Sequence, residues 1–357
     1  MVDSKYQWKA WLYLLPAIIL LLIFTVWPII NTVRMAFTVY WDPNEPAGYD
    51  ENGMQLCDEN GNPLWGKYVG YNIAADIGND KKEDGDPTKF TYEFGLDNFT
   101  SVLNTDGFWV IMKNTVLLCV LTVPLSTFLA LLIAVCLNAI KPLQRFLQTI
   151  FFLPYVTNSI AIGMVFAAMF NIVGVNTNNI AASTSIGIIN TVIGVFGIDP
   201  INWINQGSTY AANMAVMIIY IVWNALPFKI LILLGGLQSV NKQYYDAAKI
   251  DSTPKWRVFS RITVPLLSPM IAYVVITGFI GGFKEYTSIV GIFGENMQPP
   301  GASIDVQVPR LQTMVGYIYD NLGTAEGVAS AAALLLFLLI FAVTLVNLAV
   351  SKKKTHY

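Results

Sequence analysis

Side chains that commonly perform catalysis or bind metals are scarce in this sequence. Its only histidine is His356, one residue from the end, and its three cysteines, Cys57, Cys119 and Cys136, show no paired spacing. Zinc sites and catalysis by histidine require clusters of such residues. The sequence therefore predicts a protein with no catalytic residues, no metal and no cofactor.

One segment nearly matches a nucleotide-binding loop. Residues 61–68 read GNPLWGKY, close to the Walker-A pattern, in which Ser or Thr follows the Lys to ligate Mg²⁺ and a strand leads into a helix that meets the phosphates. Here Tyr68 follows Lys67, and the flanking residues favour turns. We interpret the match as a coincidence, so this chain is not expected to hydrolyse ATP itself.

Long apolar stretches determine the predicted fold. Hydrophobic residues make up 55% of the 357 residues and charged residues 12%, about half the charged share of a soluble domain. A helix needs about 20 apolar residues to cross a bilayer core. Six stretches qualify: 10–30, 114–140, 146–172, 211–240, 264–283 and 327–350. The sequence predicts an all-α membrane protein with six transmembrane helices, and 186–198, which is short and rich in glycine, is interpreted as a surface helix.

Basic residues are distributed unevenly among the connections. The segments before span one, between spans two and three, between four and five, and after span six contain 12 Lys and Arg and 3 Asp, whereas the rest of the chain contains 9 basic and 20 acidic residues. Because cytoplasmic loops are enriched in Lys and Arg, both termini are expected in the cytoplasm. The net charge of −2 provides no basic field for nucleic acid.

The longest predicted external segment, 34–106, contains 14 acidic residues. Two DENG sequences, at 50–53 and 58–61, favour hairpin turns, so we expect a small β-rich lobe, with disorder around 79–87 as the alternative. A second external segment, 284–326, is rich in proline and is expected to be loop with short helices at most.

The most basic cytoplasmic connection, 240–265, has the pattern of two short helices. The first would present Ala247 and Ala248 as a small-residue patch, and Thr253 would cap a second helix with Pro254 at its first position. This pattern favours a rigid docking knob, and an amphipathic connector on the membrane surface is the alternative.

This connection resembles the EAA loop of permease subunits in bacterial ABC importers. Asp246-Ala247-Ala248 matches Glu-Ala-Ala, Asp251 matches the following Asp, and residues 264–269 match the Pro-containing end. Further matches are typical of sugar permeases related to the large subunit of the maltose transporter: GLDNF at 95–99, FFLPY at 151–155, GLQ at 236–238 and FKEY at 283–286. The resemblance covers about 10–350, with an acidic insertion at about 42–89.

Two positions depart from the family pattern. Ser252 replaces a Gly that usually adopts a left-handed conformation, which would cost about 1 kcal/mol if the turn is kept. Residues 294–297, GENM, replace a common Gly-Gly-Pro turn, so that turn is expected to be rebuilt.

The resemblance implies the type I importer permease fold and a division of labour. The chain would pair with a second, different permease subunit, two ATP-binding subunits and an extracytoplasmic solute-binding protein, and would carry carbohydrate across the bacterial inner membrane. The expected parts are an N-terminal tail and first helix (1–33), the lobe (34–107), the permease core (108–350, with the EAA loop at 240–265) and a cytoplasmic tail (351–357). The residues expected to couple to the ATPase are Tyr245, Asp246, Ala247, Ala248, Asp251 and Ser252.

The substrate path is expected between spans four and five. Its candidate residues, at helix-compatible spacing, are Trp223, Asn224, Phe228, Lys229, Gly282 and Glu285. An aromatic ring can stack on a sugar face, and an amide can bind its hydroxyls. For the charges of Lys229 and Glu285, three interpretations stay open: a Lys229–Glu285 ion pair that acts as a gate, recognition of an acidic sugar by Lys229, or snorkelling of Lys229 inwards and Glu285 outwards.

Two other functional classes compete with the permease. A self-sufficient secondary transporter usually shows internal repeats and coupling carboxylates at mid-membrane, whereas this sequence has no second copy of its spans and only Glu285 as a candidate carboxylate. A membrane-embedded enzyme would need paired catalytic groups in the spans, and the sequence offers none.

Overall fold

The computed structural model describes residues 7–47, 54–58, 61–80, 89–140, 144–172, 186–299 and 310–354. The described residues are mostly helical. The chain divides into two compact units: the first comprises Met1–Phe108 and Tyr317–Leu335, and the second comprises Trp109–Gly316 and Leu336–Tyr357.

The first unit begins with a long apolar helical segment. It consists of α1 (Gln7–Leu21), a π-helical turn (Leu22–Val26) and α2 (Trp27–Phe37). Pro28 has no N–H to donate to the carbonyl four residues earlier, and next to it the Trp27 N–H reaches back five residues to the Leu22 carbonyl. The helical segment therefore continues beyond the predicted stretch 10–30, as far as Phe37.

A three-stranded antiparallel sheet follows, within the segment for which the sequence predicts a β-rich lobe. Strand β1 (Thr38–Pro46) lies between β2 (Trp65–Gly70) and β3 (Tyr92–Phe94), and helices α3 (Ile73–Asp80) and α4 (Asp97–Asn104) complete this part. At the second DENG sequence, the Gly61 N–H donates to the Asp58 carbonyl at 3.0 Å. The first, at 50–53, lies outside the described residues, as does most of 79–87.

Asn98, within the GLDNF sequence, fastens the end of α2 to this part of the unit. It is fully buried, and its Nδ2 donates to the carbonyls of Met35, Ala36 and Thr38 at 3.0–3.3 Å. The last carbonyls of a helix lack partners within it. The Asn98 side chain therefore satisfies the C-terminal end of α2 and fixes the direction in which β1 leaves it.

Asp76 of α3 holds two tyrosines together. Its carboxylate accepts hydrogen bonds from the hydroxyls of Tyr71 and Tyr92, each at 2.7 Å. Burial, and then these bonds to a carboxylate, raise the pKa of both tyrosines. The two hydroxyls therefore stay protonated and the cluster stays intact at neutral pH.

The predicted third span is wrong as one continuous helix. Residues 146–172 contain α6 (Gln144–Val156) and α7 (Ser159–Phe170). Asn158 separates them, because its side chain caps α7 by accepting from the N–H groups of Ile160 and Ala161 at 2.9 and 3.3 Å. An apolar run alone does not reveal such an internal cap.

The other helices follow the sequence pattern more closely. They are α5 (Phe108–Ala139), α8 (Gly187–Gly194), α9 (Tyr210–Ser239), α10 (Lys242–Ile250), α11 (Lys255–Val258), α12 (Val264–Leu266), α13 (Ser268–Gly282), α14 (Thr287–Phe293), α15 (Met314–Asn321) and α16 (Glu326–Lys354). Helix α8 lies in the segment interpreted as a surface helix, and α14 and α15 are the short helices expected within 284–326.

Within the described ranges, four helical segments are long and apolar enough to cross a membrane: Trp11–Phe37, Phe108–Ala139, Tyr210–Ser239 and Glu326–Lys352. A fifth is obtained if Lys255–Leu266 and Ser268–Gly282, which meet at 67°, form one bent span. The count of six thus stays a prediction.

Candidate translocation path and coupling loop

A cavity of about 230 Å³ lies in the second unit among α5, α6, α9 and α13. Its lining residues are Thr122, Val123, Ser126, Tyr155, Ile221, Asn224, Ala225, Phe228, Lys229, Thr277, Gly278, Gly281, Gly282 and Glu285. Five of the six residues proposed from sequence for the substrate path are in this set. Spans four and five therefore bring these five residues to one cavity.

Trp223 is the exception, because it does not line this cavity. Its ring packs against Phe166 of α7, with 5.0 Å between ring centroids, on the side of α9 that also carries the fully buried Tyr220. Successive residues of a helix point about 100° apart, so Asn224 and Phe228 can share one face of α9 while Trp223 points to another. Trp223 is half-buried and packs against the core of the second unit.

Aromatic rings line one side of the cavity. Phe228 of α9 and Tyr155 of α6 are stacked, with ring centroids 5.8 Å apart and planes inclined by 18°. Asn224 is one helical turn before Phe228 and lines the same cavity. Aromatic faces next to an amide are suited to a sugar, whose ring faces are apolar and whose edges carry hydroxyls.

Lys229 does not snorkel to a membrane surface. Its side chain is buried, with 5% of the residue exposed, and Nζ donates to the Val123 carbonyl at 3.2 Å, to Ser126 Oγ at 2.7 Å and to Thr127 Oγ1 at 3.0 Å. These acceptors all lie on α5. Snorkelling is unnecessary because the neighbouring helix supplies polar groups within the apolar region.

The predicted ion pair between Lys229 and Glu285 is also absent from the described residues. Both residues line the cavity, but the Lys229 ammonium is bonded to α5, and the salt bridge that is present joins Lys249 to Asp246. Glu285 follows the end of α13, where its carbonyl accepts from Thr313 Oγ1 at 2.8 Å. A direct Lys229–Glu285 gate is therefore wrong for this conformation.

The EAA-like loop is built on a helix with a defined start and end. Asn241 caps α10 by accepting from the Gln243 N–H at 3.0 Å. At the other end, Ser252 has a φ of 53°, its N–H donates to the Lys249 carbonyl at 3.0 Å, and the Thr253 N–H donates to the Ala248 carbonyl at 2.9 Å. This is the Schellman termination, so Ser252 keeps the left-handed conformation that its place in the family pattern implies.

The two alanines of this loop do not form one exposed patch. Ala247 is exposed, whereas Ala248 is buried at 6% and borders a cavity between α10 and the C-terminal part of α5. Tyr245 is half-buried and its hydroxyl lies 3.3 Å from Thr263 Oγ1. Of the residues expected to couple to the ATPase, Asp246, Ala247, Asp251 and Ser252 are exposed.

The second helix of the loop starts one residue later than predicted. Pro254 occupies the capping position, with extended backbone and no side-chain cap, and its carbonyl accepts from the N–H groups of Arg257 and Val258 at 2.9 and 3.1 Å. Helix α11 runs only to Val258, before a π-helical turn at Phe259–Thr263 and α12. Thr253 instead takes part in terminating α10, which removes it as a cap.

Sequence reasoning missed Tyr155 and Ser126, which line the cavity, and Thr127, which accepts a hydrogen bond from Lys229. Tyr155 lies in the FFLPY sequence, which indicated a family rather than a role. Ser126 and Thr127 follow Pro124 in α5, and hydroxyl residues after a proline in an apolar helix commonly satisfy backbone or neighbouring polar groups. This pattern is the sequence signal by which Ser126 and Thr127 could have been identified.

Comparison with known proteins identifies relatives along most of the chain. The family model described as binding-protein-dependent transport system inner membrane component matches residues 124–356. The lactose transport system permease protein LacF of Rhizobium radiobacter is 28% identical over 287 residues, covering 80% of this chain and 76% of that protein. The trehalose/maltose transport system permease protein MalF of Thermococcus litoralis is 30% identical over 258 residues, covering 72% and 79%.

Solved structures show the same fold. A chain of a bacterial ABC transporter involved in the import of the acidic polysaccharide alginate matches with a TM-score of 0.67 at 19% identity, covering 99% of this chain and 98% of that one. The bent helices and the cavity between α5, α9 and α13 thus occur within a permease fold. This chain belongs to the family of inner membrane components of binding-protein-dependent transport systems.

Proposed function

We propose that this chain is the membrane-spanning permease subunit of an ATP-driven carbohydrate importer, and that it forms half of the translocation pathway. The observation that carries the proposal is the cavity in which Asn224, Phe228 and Tyr155 meet. Relatives named for lactose and for trehalose/maltose transport support a carbohydrate substrate.

The chemistry of the cavity suits a neutral sugar. The stacked rings of Phe228 and Tyr155 provide an apolar platform, and Asn224 provides a donor and an acceptor for hydroxyls. The three N–H bonds of the Lys229 ammonium already go to α5. Recognition of an acidic sugar by Lys229 would require at least one of them to be given up, so this alternative is not favoured.

The coupling loop supports an arrangement in which other subunits hydrolyse ATP. Its exposed face, with Asp246, Ala247, Asp251 and Ser252, lies on a helix that is capped at both ends and is therefore rigid. A rigid knob transmits a rigid-body movement of an ATPase to the spans instead of absorbing it. We propose two ATP-binding subunits, a second permease subunit of different sequence and an external solute-binding protein as partners.

The proposed location is the bacterial inner membrane, with both termini in the cytoplasm. The uneven distribution of Lys and Arg supports this orientation, and it places the sheet of the first unit outside, where the solute-binding protein delivers its sugar.

The class of transporter is tested by uptake into proteoliposomes that contain the complete complex, its binding protein and internal ATP. Labelled lactose, trehalose, maltose and arabino-oligosaccharides form the substrate panel. We expect uptake of at least one sugar that requires ATP and persists when ionophores abolish proton and sodium gradients. Uptake driven by an ion gradient without ATP would instead support a secondary transporter.

A further inference from the structure

The side chain of Lys229 crosses from α9 to α5 at the wall of the cavity. Its ammonium group donates three hydrogen bonds, to the Val123 carbonyl, Ser126 Oγ and Thr127 Oγ1, with donor–acceptor distances of 2.7–3.2 Å. An ammonium has three donors. The donor capacity of Lys229 is therefore used within the chain.

The two hydroxyl acceptors are oriented for this role. Ser126 Oγ donates to the Thr122 and Val123 carbonyls, and Thr127 Oγ1 donates to the Val123 carbonyl at 2.7 Å. Since each hydroxyl hydrogen is used on the backbone of α5, the oxygen lone pairs are left for Lys229. All three acceptors come shortly after Pro124 or directly before it, at the place where α5 lacks a backbone N–H.

Helix α13 approaches Lys229 and α5 closely at two glycines. A Cβ atom on Gly278 would lie 3.2 Å from Lys229 Nζ and 3.0 Å from a Val123 methyl group. A Cβ atom on Gly282, one turn later, would lie 2.9 Å from Cys119 Sγ of α5. The spans α5, α9 and α13 thus meet around the Lys229 ammonium, with little room for a side chain at Gly278 or Gly282.

We propose that Lys229 is a positioning residue that ties α9 to α5 beneath α13 and so holds the wall of the path in place, rather than a substrate ligand. The tie itself follows from packing, and only its importance for transport rests on the proposed function. It keeps Asn224 and Phe228, which lie on the same helix as Lys229, at a fixed distance from α5.

The tie makes an unusual prediction about combined substitutions. Removing the acceptors in Ser126→Ala/Thr127→Val leaves a buried ammonium without its partners, which costs more than removing the ammonium in Lys229→Met. Removing both sides in the triple variant leaves apolar groups of similar shape and should restore packing. The triple variant should therefore be closer to wild type than the acceptor double variant.

Cys119 provides a native reporter that does not depend on transport. It is free and buried against α13, whereas Cys57 and Cys136 are free and exposed and serve as internal controls. The experiment measures the rate at which N-ethylmaleimide modifies each cysteine in the assembled complex in nanodiscs, by mass spectrometry of the cysteine-containing peptides.

We expect Cys119 to react slowly in wild type, about tenfold faster in Lys229→Met and faster again in Ser126→Ala/Thr127→Val, because local opening exposes it. In the triple variant its rate should return to within about threefold of wild type. The rates of Cys57 and Cys136 should not change.

Two results would overturn the tie. One is a Cys119 rate that is the same in all four proteins, and the other is a triple variant as reactive as the acceptor double variant. If the acceptor double variant fails to assemble, the comparison of Lys229→Met with the triple variant decides, since the tie requires that both assemble. Loss of sugar uptake with unchanged Cys119 rates would contradict the positioning role of Lys229. It would not contradict the proposal that the chain is a transport subunit.

Discussion

Gly163 of α7 and Gly291 of α14 lie against each other without side chains between them. A Cβ atom on Gly163 would come within 2.8 Å of Gly291 Cα, and a Cβ atom on Gly291 would lie 3.1 Å from the Ile160 carbonyl oxygen. The residues around Gly291 on α14, including Ile289 and Phe293, are buried in the core of the second unit. This close crossing fixes the short helix that follows the fifth predicted span.

Gly291→Val should disrupt this crossing. The added methyl groups have no space against the backbone of α7, and overpacking of this kind costs about 1–3 kcal/mol. We expect a lower thermal unfolding temperature of the purified complex. Gly235→Ala is the matched control, since a Cβ there meets nothing within 4 Å. Equal unfolding temperatures for the two variants would show that the crossing does not contribute to stability.

Phe228→Leu should reduce sugar uptake strongly while leaving the complex assembled. The substitution keeps an apolar side chain but removes the ring that stacks on Tyr155, so the aromatic platform for the sugar is lost. The measurement is the initial rate of uptake, normalised to the amount of complex. Phe337→Leu, on an exposed part of α16, is the control and should transport normally. If both variants transport equally well, the ring has no role in the path.

Ala247→Trp and Ala248→Trp should fail for different reasons. Ala247 is exposed, so a bulky ring there should block docking of the ATPase while the chain stays folded. Ala248 is buried, so a ring there should disturb the residues packed around it and lower the unfolding temperature.

Co-purification of the ATP-binding subunits and the unfolding temperature of the permease chain separate the two effects. Normal co-purification and normal uptake with Ala247→Trp would contradict the proposed docking face.

Ser252→Gly should stabilise the coupling loop. Ser252 has a φ of 53°, a conformation that costs an L-residue about 1 kcal/mol more than glycine. Ser252→Val should destabilise the turn, because a β-branched residue tolerates this conformation least. Hydrogen exchange of the Ser252 and Thr253 amides should slow in the glycine variant and accelerate in the valine variant. Equal exchange rates of these amides in all three proteins would show that the turn is not strained.

Ser351→Cys tests the proposed orientation. Ser351 lies near the end of α16, and the distribution of basic residues predicts that this end is in the cytoplasm. An impermeant maleimide should therefore label Ser351→Cys only after the cells are opened, in a background with Cys57 and Cys136 replaced by Ser. Labelling in intact cells would reverse the topology.

The parts of this structure that the sequence predicted depend on local pattern. Apolar length indicated α5, α9 and α16, and the EAA-like sequence indicated a left-handed turn at position 252, because both signals lie within a few consecutive residues. Asn224 and Phe228 are predicted to lie together because helical spacing reveals which residues of one helix share a face.

The parts that the sequence missed depend on contacts between distant segments. Trp223 has the aromatic ring of a sugar-binding residue, but this ring packs against Phe166 on another helix. Ala248 looks equivalent to Ala247 in the sequence, but in the structure it is buried beside a cavity that residues of α5 and α10 line. The choice between an ion pair, a ligand contact and snorkelling for Lys229 required knowledge of Ser126 and Thr127, about 100 residues earlier.

The most direct test of the central claim is whether sugar passes through the cavity beside Asn224. Asn224→Cys is compared with Ile219→Cys, an exposed position on the same helix, both with Cys57 and Cys136 replaced by Ser. Each complex is treated with a bulky maleimide, and ATP-driven uptake of the transported sugar is then measured. Modification of Asn224→Cys should abolish uptake, and sugar present during labelling should slow that modification. Modification of Ile219→Cys should leave uptake unchanged, and sugar should not affect its rate. Full uptake after complete modification of Asn224→Cys would contradict the account.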